Sequence, residues 1–298
     1  MAMKTSTTKT SAPVDAAIII PHYNDPTRLK RCLDELARND LRGVETVVVD
    51  NNSTVPLEDV IAAYPWVRFI VETEKGAAPA RNRGIAETSA PLLLFIDADC
   101  VPATDWVVTA RRIADQADLT GGRVGVFDET EPPRSGAEAF EAVFAFDFKT
   151  YIEKKGFSGA GNLVTRRDIF DHIGGFKNGV SEDAEWTMRA VANGYTLRYE
   201  DDLVVSHPTR QDWAALSTKW RRMTNEAYQL NGTKGRARLK WALRAFLMPV
   251  SIVAHVPKIL ANRTLNGPKD HVLAITTLIR IRLARMVWML QQVSGAKI

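Results

Sequence analysis

The sequence predicts an α/β fold with a mostly parallel, doubly wound sheet and helices on both faces, followed by a helical C-terminal region. Two observations predict it. Short apolar runs alternate with helical patterns as far as residue 126, and the runs are apolar throughout rather than at every second position. Such strands are typical of a parallel sheet covered on both faces. With 298 residues, the chain is long enough to bury a full core.

The predicted elements alternate from the first apolar run onward. Strands are expected at residues 16–20, 46–49, 67–71, 92–96 and 120–127, with helical patterns between them. The first helix places Leu29, Cys32, Leu33 and Leu36 on one face. No Gly-x-Gly-x-x-Gly follows the first strand, which argues against a dinucleotide-binding turn and so against an oxidoreductase.

The middle of the chain changes character. A helical stretch over 140–148 leads to a segment of small residues over 157–163. Ser181 is predicted to cap a helix that ends at Gly194, and two short strands over 197–199 and 203–205 then precede His207.

Charge and composition suggest three regions: a disordered N-terminus over 1–14, a domain over 15–208, and a basic helical region over 209–298. The net charge of +4 conceals a balance of +13 from Leu203 onward and of −9 before it. A basic C-terminal region of this kind indicates an anionic partner surface. The two cysteines lack metal-type spacing, so we expect reduced structural thiols in a cytoplasmic protein.

Asp97-Ala98-Asp99 follows the apolar run 92–96 directly. A buried strand that ends in two carboxylates places both at the carboxyl edge of the sheet, where open α/β sheets bind ligands. Two neighbouring carboxylates suit a hard divalent cation, Mn²⁺ or Mg²⁺, that also binds substrate phosphates. The alternative is a pair of solvated loop acids.

Several short motifs together resemble the inverting family 2 glycosyltransferases, whose nucleotide-sugar-binding fold is called GT-A. The matching pieces are, in order, Pro21 to Asn24, Val49 to Thr54, Ala80 to Gly84, Asp97 to Asp99, Gly161-Asn162, Gly174 to Phe176, Glu182-Asp183 and His207. The resemblance covers about residues 15–208. Glu74-Lys75-Gly76 departs from the family pattern, and the basic region lies outside it.

The resemblance implies roles for individual residues in binding a nucleoside diphosphate sugar and a metal. It places Asp50 near the nucleobase, with Pro21 and Tyr23 in the wall of the base pocket. Asp97 would contact the ribose or the metal, and Asp99 and His207 would bind the metal. The remaining residues assigned to the nucleotide sugar are Asn24, Asn52, Arg81, Asn82, Ala98, Asn162 and Trp186.

Each of these roles has a structural alternative. Asp50 could cap its loop, because the sequence Asp-Asn-Asn-Ser-Thr favours a turn without any ligand. Arg81 could lie on a solvated helix face, His207 could be a structural donor, and Trp186 could belong to the core instead of stacking on a sugar.

Asp183 is the predicted catalytic base, with Glu182 as a supporting residue. An inverting transfer requires a carboxylate that takes the proton of the attacking hydroxyl. Acids in the first turn are also favoured by the helix dipole alone. This pair, however, follows the Gly-Gly-Phe turn at the family spacing.

The predicted function is therefore a metal-dependent, inverting hexosyl transfer from a nucleoside diphosphate sugar, with UDP-sugars favoured, to a glycan or lipid-linked acceptor hydroxyl. Surface polysaccharide or glycolipid synthesis would suit this chemistry. One alternative is a nucleotidyltransferase, although Pro21 to Thr27 lacks the Gly-rich basic loop that would hold a triphosphate. The other is a non-catalytic sugar-nucleotide-binding module.

The basic C-terminal region suggests a peripheral position on the inner face of a membrane. The apolar segment 245–256 is too short to span about 30 Å of hydrocarbon. The last helix has an apolar stripe opposite Arg282 and Arg285, which suits an anionic membrane interface. The stripe comprises Val272, Ile275, Ile279, Leu283, Met286 and Leu290. Packing on the catalytic domain or a homodimer contact is the alternative, and no motif indicates nucleic acid.

Overall fold

The structure is a computed structural model that describes residues 14–296 and residue 298. The predicted disordered N-terminus therefore lies outside the described residues, apart from Val14. The strands are β1 (Ala16–His22), β2 (Val44–Asp50), β3 (Val67–Val71), β4 (Leu92–Ile96), β5 (Val101–Pro102), β6 (Leu119–Phe127), β7 (Asn162–Arg166) and β8 (Leu197–Pro208). The helices are α1 (Pro26–Leu36), α2 (Glu58–Ala63), α3 (Ala77–Ala86), α4 (Trp106–Ile113), α5 (Gly136–Phe144), α6 (Phe148–Lys155), α7 (Arg167–Ile173), α8 (Glu182–Ala192), α9 (Trp213–Asn231), α10 (Gly235–Leu260) and α11 (Pro268–Ser294).

The described strands form one sheet in the order β3-β2-β1-β4-β7-β6-β8-β5. The first four are parallel, as their continuous apolar sequences predicted. β7 runs antiparallel to both β4 and β6. The alternation of strands and helices in the sequence did not predict this change of direction. In the parallel part His22 lies opposite Asp50, so the carboxyl ends of β1, β2 and β4 share one edge.

Local sequence explains the helix that follows β1. The Asp25 side chain accepts a hydrogen bond from the backbone N–H of Arg28 at 3.1 Å, and Pro26 occupies the first turn. The buried face of α1 holds the predicted residues Leu29, Cys32, Leu33 and Leu36. On this face the Cys32 thiol donates to the Asp97 carbonyl at 3.9 Å, which ties α1 to the turn after β4.

The chain forms two compact units. The first contains residues 14–123, 148–178 and 182–205, and the second contains 124–147, 179–181 and 206–298. Segment 124–147 thus joins the C-terminal helices rather than the domain expected over 15–208. The two short strands expected before His207 are one strand, β8, which continues from the first unit into the second.

The second unit packs α5, α9, α10 and α11 around its own core. Phe140, Leu216, Leu278 and Ile281 are buried there. The predicted apolar stripe of α11 is divided in the structure. Ile275, Met286 and Leu290 pack against buried clusters of the second unit, whereas Val272, Ile279 and Leu283 are exposed.

Arg282 and Arg285, expected on the far side of α11, turn inward. The Arg285 guanidinium lies 4.9 Å from the Trp220 ring, and burial lowers the pKa of Arg285 to about 10. Two cationic side chains of α11, Arg282 and Arg285, are therefore half-buried inside the second unit.

The segment thought too short to span a membrane belongs to a longer helix. α10 has 26 residues, or about 39 Å at 1.5 Å per residue. By length and composition alone it could cross a membrane, and little of its apolar window is buried.

Candidate functional site

The two carboxylates that follow β4 lie in a tight turn. The backbone N–H of Cys100 donates to the Asp97 carbonyl at 3.0 Å, which closes the turn. The potential ligand atoms of Asp97, Asp99 and Cys100 all lie within 4.8 Å of one another. Burial, together with the charges of both aspartates, raises the pKa of the Cys100 thiol well above its ordinary value. A hard cation takes oxygen ligands, so the two carboxylates are the groups suited to bind it.

The surroundings of Asp97 leave room on one side of its carboxylate. Arg81 donates to Oδ1 at 2.7 Å. A Cβ atom placed on Gly161 would lie 2.8 Å from Oδ2, so only glycine leaves this side open. Paired carboxylate oxygens with such an opening fit Mg²⁺ or Mn²⁺, which take oxygen ligands.

Arg81 joins the two groups of acids instead of lying on a solvated face. Its side chain is 4% exposed, and besides Asp97 it binds Glu182 Oε1 at 2.6 Å. Burial acts to lower the pKa of Arg81, but the charges of Asp97, Glu182 and Asp183 outweigh it and raise the pKa above its ordinary value. Both terminal nitrogens of this guanidinium are therefore occupied by acids, and the nucleotide contact expected of Arg81 stays a prediction.

Asp183 lies in the first turn of α8, beside the small-residue segment predicted over 157–163. Its Oδ2 accepts from the backbone N–H of Ala160 at 3.3 Å, and its Oδ1 accepts from that of Ala184 at 2.7 Å. A Cβ on Gly159 would come within 3.3 Å of Oδ2. Burial raises the pKa of Asp183, and the charge of Glu182 raises it further, against the opposing effect of Arg81. The carboxylate is thus a stronger base than a solvated aspartate.

The ends of β1 and β2 form a second polar cluster, and His22 is the member that sequence reasoning missed. Nδ1 of His22 lies 3.1 Å from Asp50 Oδ1, and Nε2 accepts from the backbone N–H of Asp25 at 3.2 Å. Nδ1 therefore carries the proton and donates to Asp50. Ser53 also donates to Asp50, through its hydroxyl and its backbone N–H. The available sequence signal was that a histidine ends an otherwise apolar strand.

Asn24 and Asn52 both have left-handed backbone conformations, with φ of 53° and 59°. Oδ1 of Asn24 accepts from the backbone N–H groups of Thr54 at 2.7 Å and Val55 at 3.2 Å, so Asn24 holds the loop after β2. Tyr23 is 53% exposed beside this loop. Pro21, Asn52 and Ala98 also keep exposed surface.

Asn162 does not have the ligand-binding role expected of it. It is fully buried, and its Oδ1 accepts from the Trp106 indole N–H at 2.9 Å. Its amide N–H groups donate to the carbonyls of Leu203 at 2.8 Å and Arg123 at 3.0 Å. Since these bonds occupy the amide inside the fold, Asn162 joins β6, β7 and β8.

Trp186 and Asn82 are also structural. Trp186 is fully buried, stacks on Phe170 with ring centroids 5.5 Å apart, and donates to the Gly174 carbonyl at 2.8 Å. It cannot stack on a sugar, so the core alternative is correct. Asn82 exchanges two hydrogen bonds with the backbone of Phe176, at 2.8 and 2.9 Å.

His207 lies in the second unit, where it is buried. Its Nδ1 lies 2.6 Å from the Pro208 carbonyl and therefore donates to it. The ring lies 5.0 Å from that of Phe146. A histidine fixed in this tautomer carries its lone pair on Nε2, the atom that a metal would bind.

Comparison with known proteins identifies the family of this chain. The profile of glycosyl transferase family 2 matches residues 17–176. Glycosyltransferase AglE of Haloferax volcanii is 30% identical over 218 residues, which cover 69% of this chain and 70% of AglE. Pre-mycofactocin glycosyltransferase of Mycobacterium tuberculosis is 26% identical over 221 residues, and the match covers 67% of this chain but only 45% of that protein.

Solved structures show the same fold at low sequence identity. The mannosyltransferase PcManGT from Pyrobaculum calidifontis, in complex with GDP-Man and Mn²⁺, has a TM-score of 0.59 and 17% identity, covering 96% of this chain and 87% of its own. Residues 1–349 of TarS from S. aureus, in complex with UDP-GlcNAc, have a TM-score of 0.53 and 16% identity, covering 95% and 92%. The fold is of GT-A type, and the chain belongs to glycosyl transferase family 2.

Proposed function

We propose that this protein is a metal-dependent, inverting hexosyltransferase that moves a sugar from a nucleoside diphosphate sugar to an acceptor hydroxyl. The observation that carries the proposal is the cluster around Arg81, where Asp97 and Asp99 lie on one side and Glu182 and Asp183 on the other. The pair Asp97 and Asp99 suits a cation bound to a diphosphate, and the pair Glu182 and Asp183 suits a catalytic base. A nucleotidyltransferase would not need this second pair.

The proposed metal is Mn²⁺ or Mg²⁺, held by Asp97 and Asp99. The third ligand expected at His207 stays a prediction from the sequence. When bound, the ion would neutralise the charge that grows on the departing diphosphate. Arg81 binds Oδ1 of Asp97 and so fixes the carboxylate, and Gly161 keeps the side of Oδ2 open. Support for manganese comes from the PcManGT complex, which contains it.

Asp183 is the proposed base. The backbone N–H of Ala160 fixes its orientation, and its raised pKa increases its affinity for the hydroxyl proton. Such a positioned base contributes typically 10²–10⁴-fold to the rate. Glu182, held by Arg81, keeps negative charge next to Asp183 and so helps to raise its pKa.

The proposed donor site lies along the β1 and β2 ends, with Asp50 as the acceptor of hydrogen bonds from the base. Pro21, Tyr23, Asn24, Asn52 and Ala98 would complete its wall. A UDP-sugar is the proposed donor, since TarS is seen with UDP-GlcNAc. A GDP-sugar is the second candidate, because PcManGT, with the higher TM-score of the two, is seen with GDP-Man.

We propose a glycan or lipid-linked acceptor and a role in surface polysaccharide or glycolipid synthesis at the cytoplasmic face of a membrane. The 16 Lys and Arg residues in the stretch from Leu203 to the end favour a site of action near anionic lipids.

The test is a panel of UDP- and GDP-sugars incubated with the full chain, with Mn²⁺, with Mg²⁺ or with chelator. We expect metal-dependent release of a nucleoside diphosphate from one donor, and NMR of the product should show the opposite anomeric configuration. In the same assay, the variant Asp183→Asn removes the proposed base. Its control is Glu185→Gln, because Glu185 lies on the same helix but pairs with Lys177 and Arg189.

Three results would contradict the proposal. Release of pyrophosphate from a nucleoside triphosphate would identify a nucleotidyltransferase. Donor binding without turnover under all metal conditions would identify a binding module. Retention of the anomeric configuration would remove the role of Asp183 as base.

A further inference from the structure

α10 in the second unit is apolar on two opposite faces. Its inner face packs against the neighbouring helices, where Trp241, Ala245 and Ile259 are buried. The Trp241 indole N–H donates to the Gln292 side chain of α11 at 3.0 Å, which anchors the first half of the helix. The fold therefore uses one side of α10 along most of its length.

The opposite side of α10 is an exposed apolar surface, here called the outer face. Its members recur at helical spacing, and each is between 56% and 76% exposed. They are Leu239, Leu243, Phe246, Leu247, Val250 and Val253. Soluble proteins rarely expose large apolar side chains in one contiguous row, so such a patch marks an interaction surface.

Cations border one margin of this outer face. Lys240 and Arg244 lie along that margin, while α10 contains no acidic residue. Arg238 instead turns toward α11, where its guanidinium donates to the Val293 carbonyl. A two-fold contact between outer faces of two copies would bring these cations together. An apolar surface bordered by cations and free of acidic residues is complementary to lipid chains beneath anionic headgroups.

We propose that the outer face of α10 is a membrane-binding surface that lies in the plane of an anionic lipid bilayer. This inference deepens the proposed function, on which its biological purpose rests, by naming the surface that would bring the site to a membrane-side acceptor. It places that surface on α10 rather than on the stripe that the sequence suggested for α11.

An in-plane position follows from what α10 is packed against. α11 lies along the inner face and contains Arg280, Arg282 and Arg285. If α10 crossed the bilayer, these cations would enter the hydrocarbon with it, at a cost of several kcal/mol each. With α10 in the interface, the outer face enters the lipid and the cations of α11 stay on the protein side.

The first experiment measures binding of the full chain, without sugar nucleotide, to vesicles of phosphatidylcholine and of equal parts phosphatidylcholine and phosphatidylglycerol. We expect co-sedimentation with the anionic vesicles. The triple variant Phe246→Ser, Val250→Ser, Val253→Ser should lose it, because these side chains are exposed and the fold does not depend on them. The matched control is Val272→Ser with Leu283→Ser on α11, two exposed residues of the predicted stripe, which should bind as the parent does.

Charge and depth are tested separately. Lys240→Gln with Arg244→Gln should weaken partition to anionic vesicles roughly twenty-five-fold, at about fivefold for each cation near the surface. For depth, a fluorophore is attached to Leu243→Cys or Val253→Cys. The native Cys32 and Cys100 are buried with raised pKa values and should not react. The two sites are about 15 Å apart along the helix. An in-plane helix gives equal, shallow depths, and a spanning helix gives different ones.

The inference is overturned if the parent binds neither vesicle, if the triple α10 variant binds as well as the parent, or if the two labels differ in depth. A second copy as the occupant would show as a dimer that the triple variant converts to a monomer, with no vesicle binding. Because no donor is present, a chain that binds vesicles but transfers no sugar would contradict the proposed function and leave this inference standing.

Discussion

The two polar clusters at the sheet edge differ in how their charges are balanced. At the ends of β1 and β2, His22, Ser53 and Asp50 form a closed hydrogen-bond set around one carboxylate. Around Arg81, the charges of three carboxylates, those of Asp97, Glu182 and Asp183, act on one guanidinium and raise its pKa. The first cluster is already satisfied, whereas the second carries excess negative charge.

This difference indicates what each cluster is for. A satisfied carboxylate offers a fixed hydrogen-bond acceptor, which suits recognition of a neutral base or ribose. Excess negative charge is costly unless a cation or a proton enters. The acid cluster therefore suits a divalent ion at one end and a proton at the other, as a metal-dependent transfer requires. The predictions below test that contrast, starting with the largest effect.

Replacing Asp183 with Asn should have the largest effect on catalysis. The amide cannot take the hydroxyl proton, so we expect kcat to fall by about 10²–10⁴-fold. Donor affinity should change little, and it can be measured by calorimetry beside the rate. An unchanged kcat would show that the acid cluster has no base at this position.

Replacing Asp99 with Asn should weaken the metal and the rate together. Metal assistance is worth several kcal/mol, so we expect about a thousandfold loss in rate at low Mn²⁺. Calorimetry with Mn²⁺ alone should show weaker binding. The control is Asp105→Asn, an exposed acid that precedes α4 and should leave both values unchanged. Equal Mn²⁺ binding by the parent and the Asp99 variant would remove the metal site.

Replacing Arg81 with Met tests the link between the two ends of the acid cluster. Arg81 lowers the pKa of Asp183, so its loss should raise that pKa further. Since the base works only when deprotonated, activity falls as pH drops through its pKa. The acid limb of kcat/KM should therefore move to higher pH, by a shift that a pH–rate profile measures.

The same Arg81 variant should also be less stable, because breaking a buried ion pair typically costs about 3–5 kcal/mol. Arg81→Lys keeps the charge but loses the fork that reaches two acids. It should therefore shift the acid limb less than Arg81→Met. An acid limb at the same pH in all three proteins would mean that Asp183 does not sense Arg81.

Replacing His22 with Leu should affect the satisfied cluster and leave the acids alone. Loss of the N–H that donates to Asp50 should raise the donor KM by roughly tenfold, as expected for one hydrogen bond to a charged group, with kcat nearly unchanged. His22→Asn keeps a donor near the Nδ1 position and should retain most of the affinity. A fall in kcat without a change in KM would contradict a role in donor recognition.

Much of the fold and part of the site could be predicted from the sequence. Apolar runs identify β1, β2 and β4 because they are buried on both faces, and the acids after β4 must then lie at the sheet edge. The antiparallel direction of β7 could not be predicted. Its residues pair with strands distant in sequence, and no local sequence pattern indicates in which direction the strand runs.

Side-chain roles were harder to predict for a physical reason. Arg81, Asn162 and Trp186 carry polar groups that can serve a ligand or the fold equally well. Their burial, which decides between these uses, depends on partners distant in sequence: Glu182 lies 101 residues from Arg81, and Trp106 lies 56 residues from Asn162. His22 was missed for the same reason, because its partner Asp50 belongs to the neighbouring strand.

The smallest expected effect is a gain in stability from Asp183→Asn. The folded state raises the pKa of Asp183 above its unfolded value, so it binds the proton more tightly. The stability of the fold therefore falls as pH rises from the unfolded to the folded pKa of Asp183, and above that window the ionised carboxylate destabilises the fold. Asn keeps an oxygen that can accept from Ala160 and carries no charge. We expect Asp183→Asn to have a Tm slightly above that of the parent at neutral pH and the difference to vanish in acid, as calorimetry at two pH values would show. A lower Tm at neutral pH would mean that the Asp183 charge stabilises the cluster, in which case its excess of negative charge is already balanced.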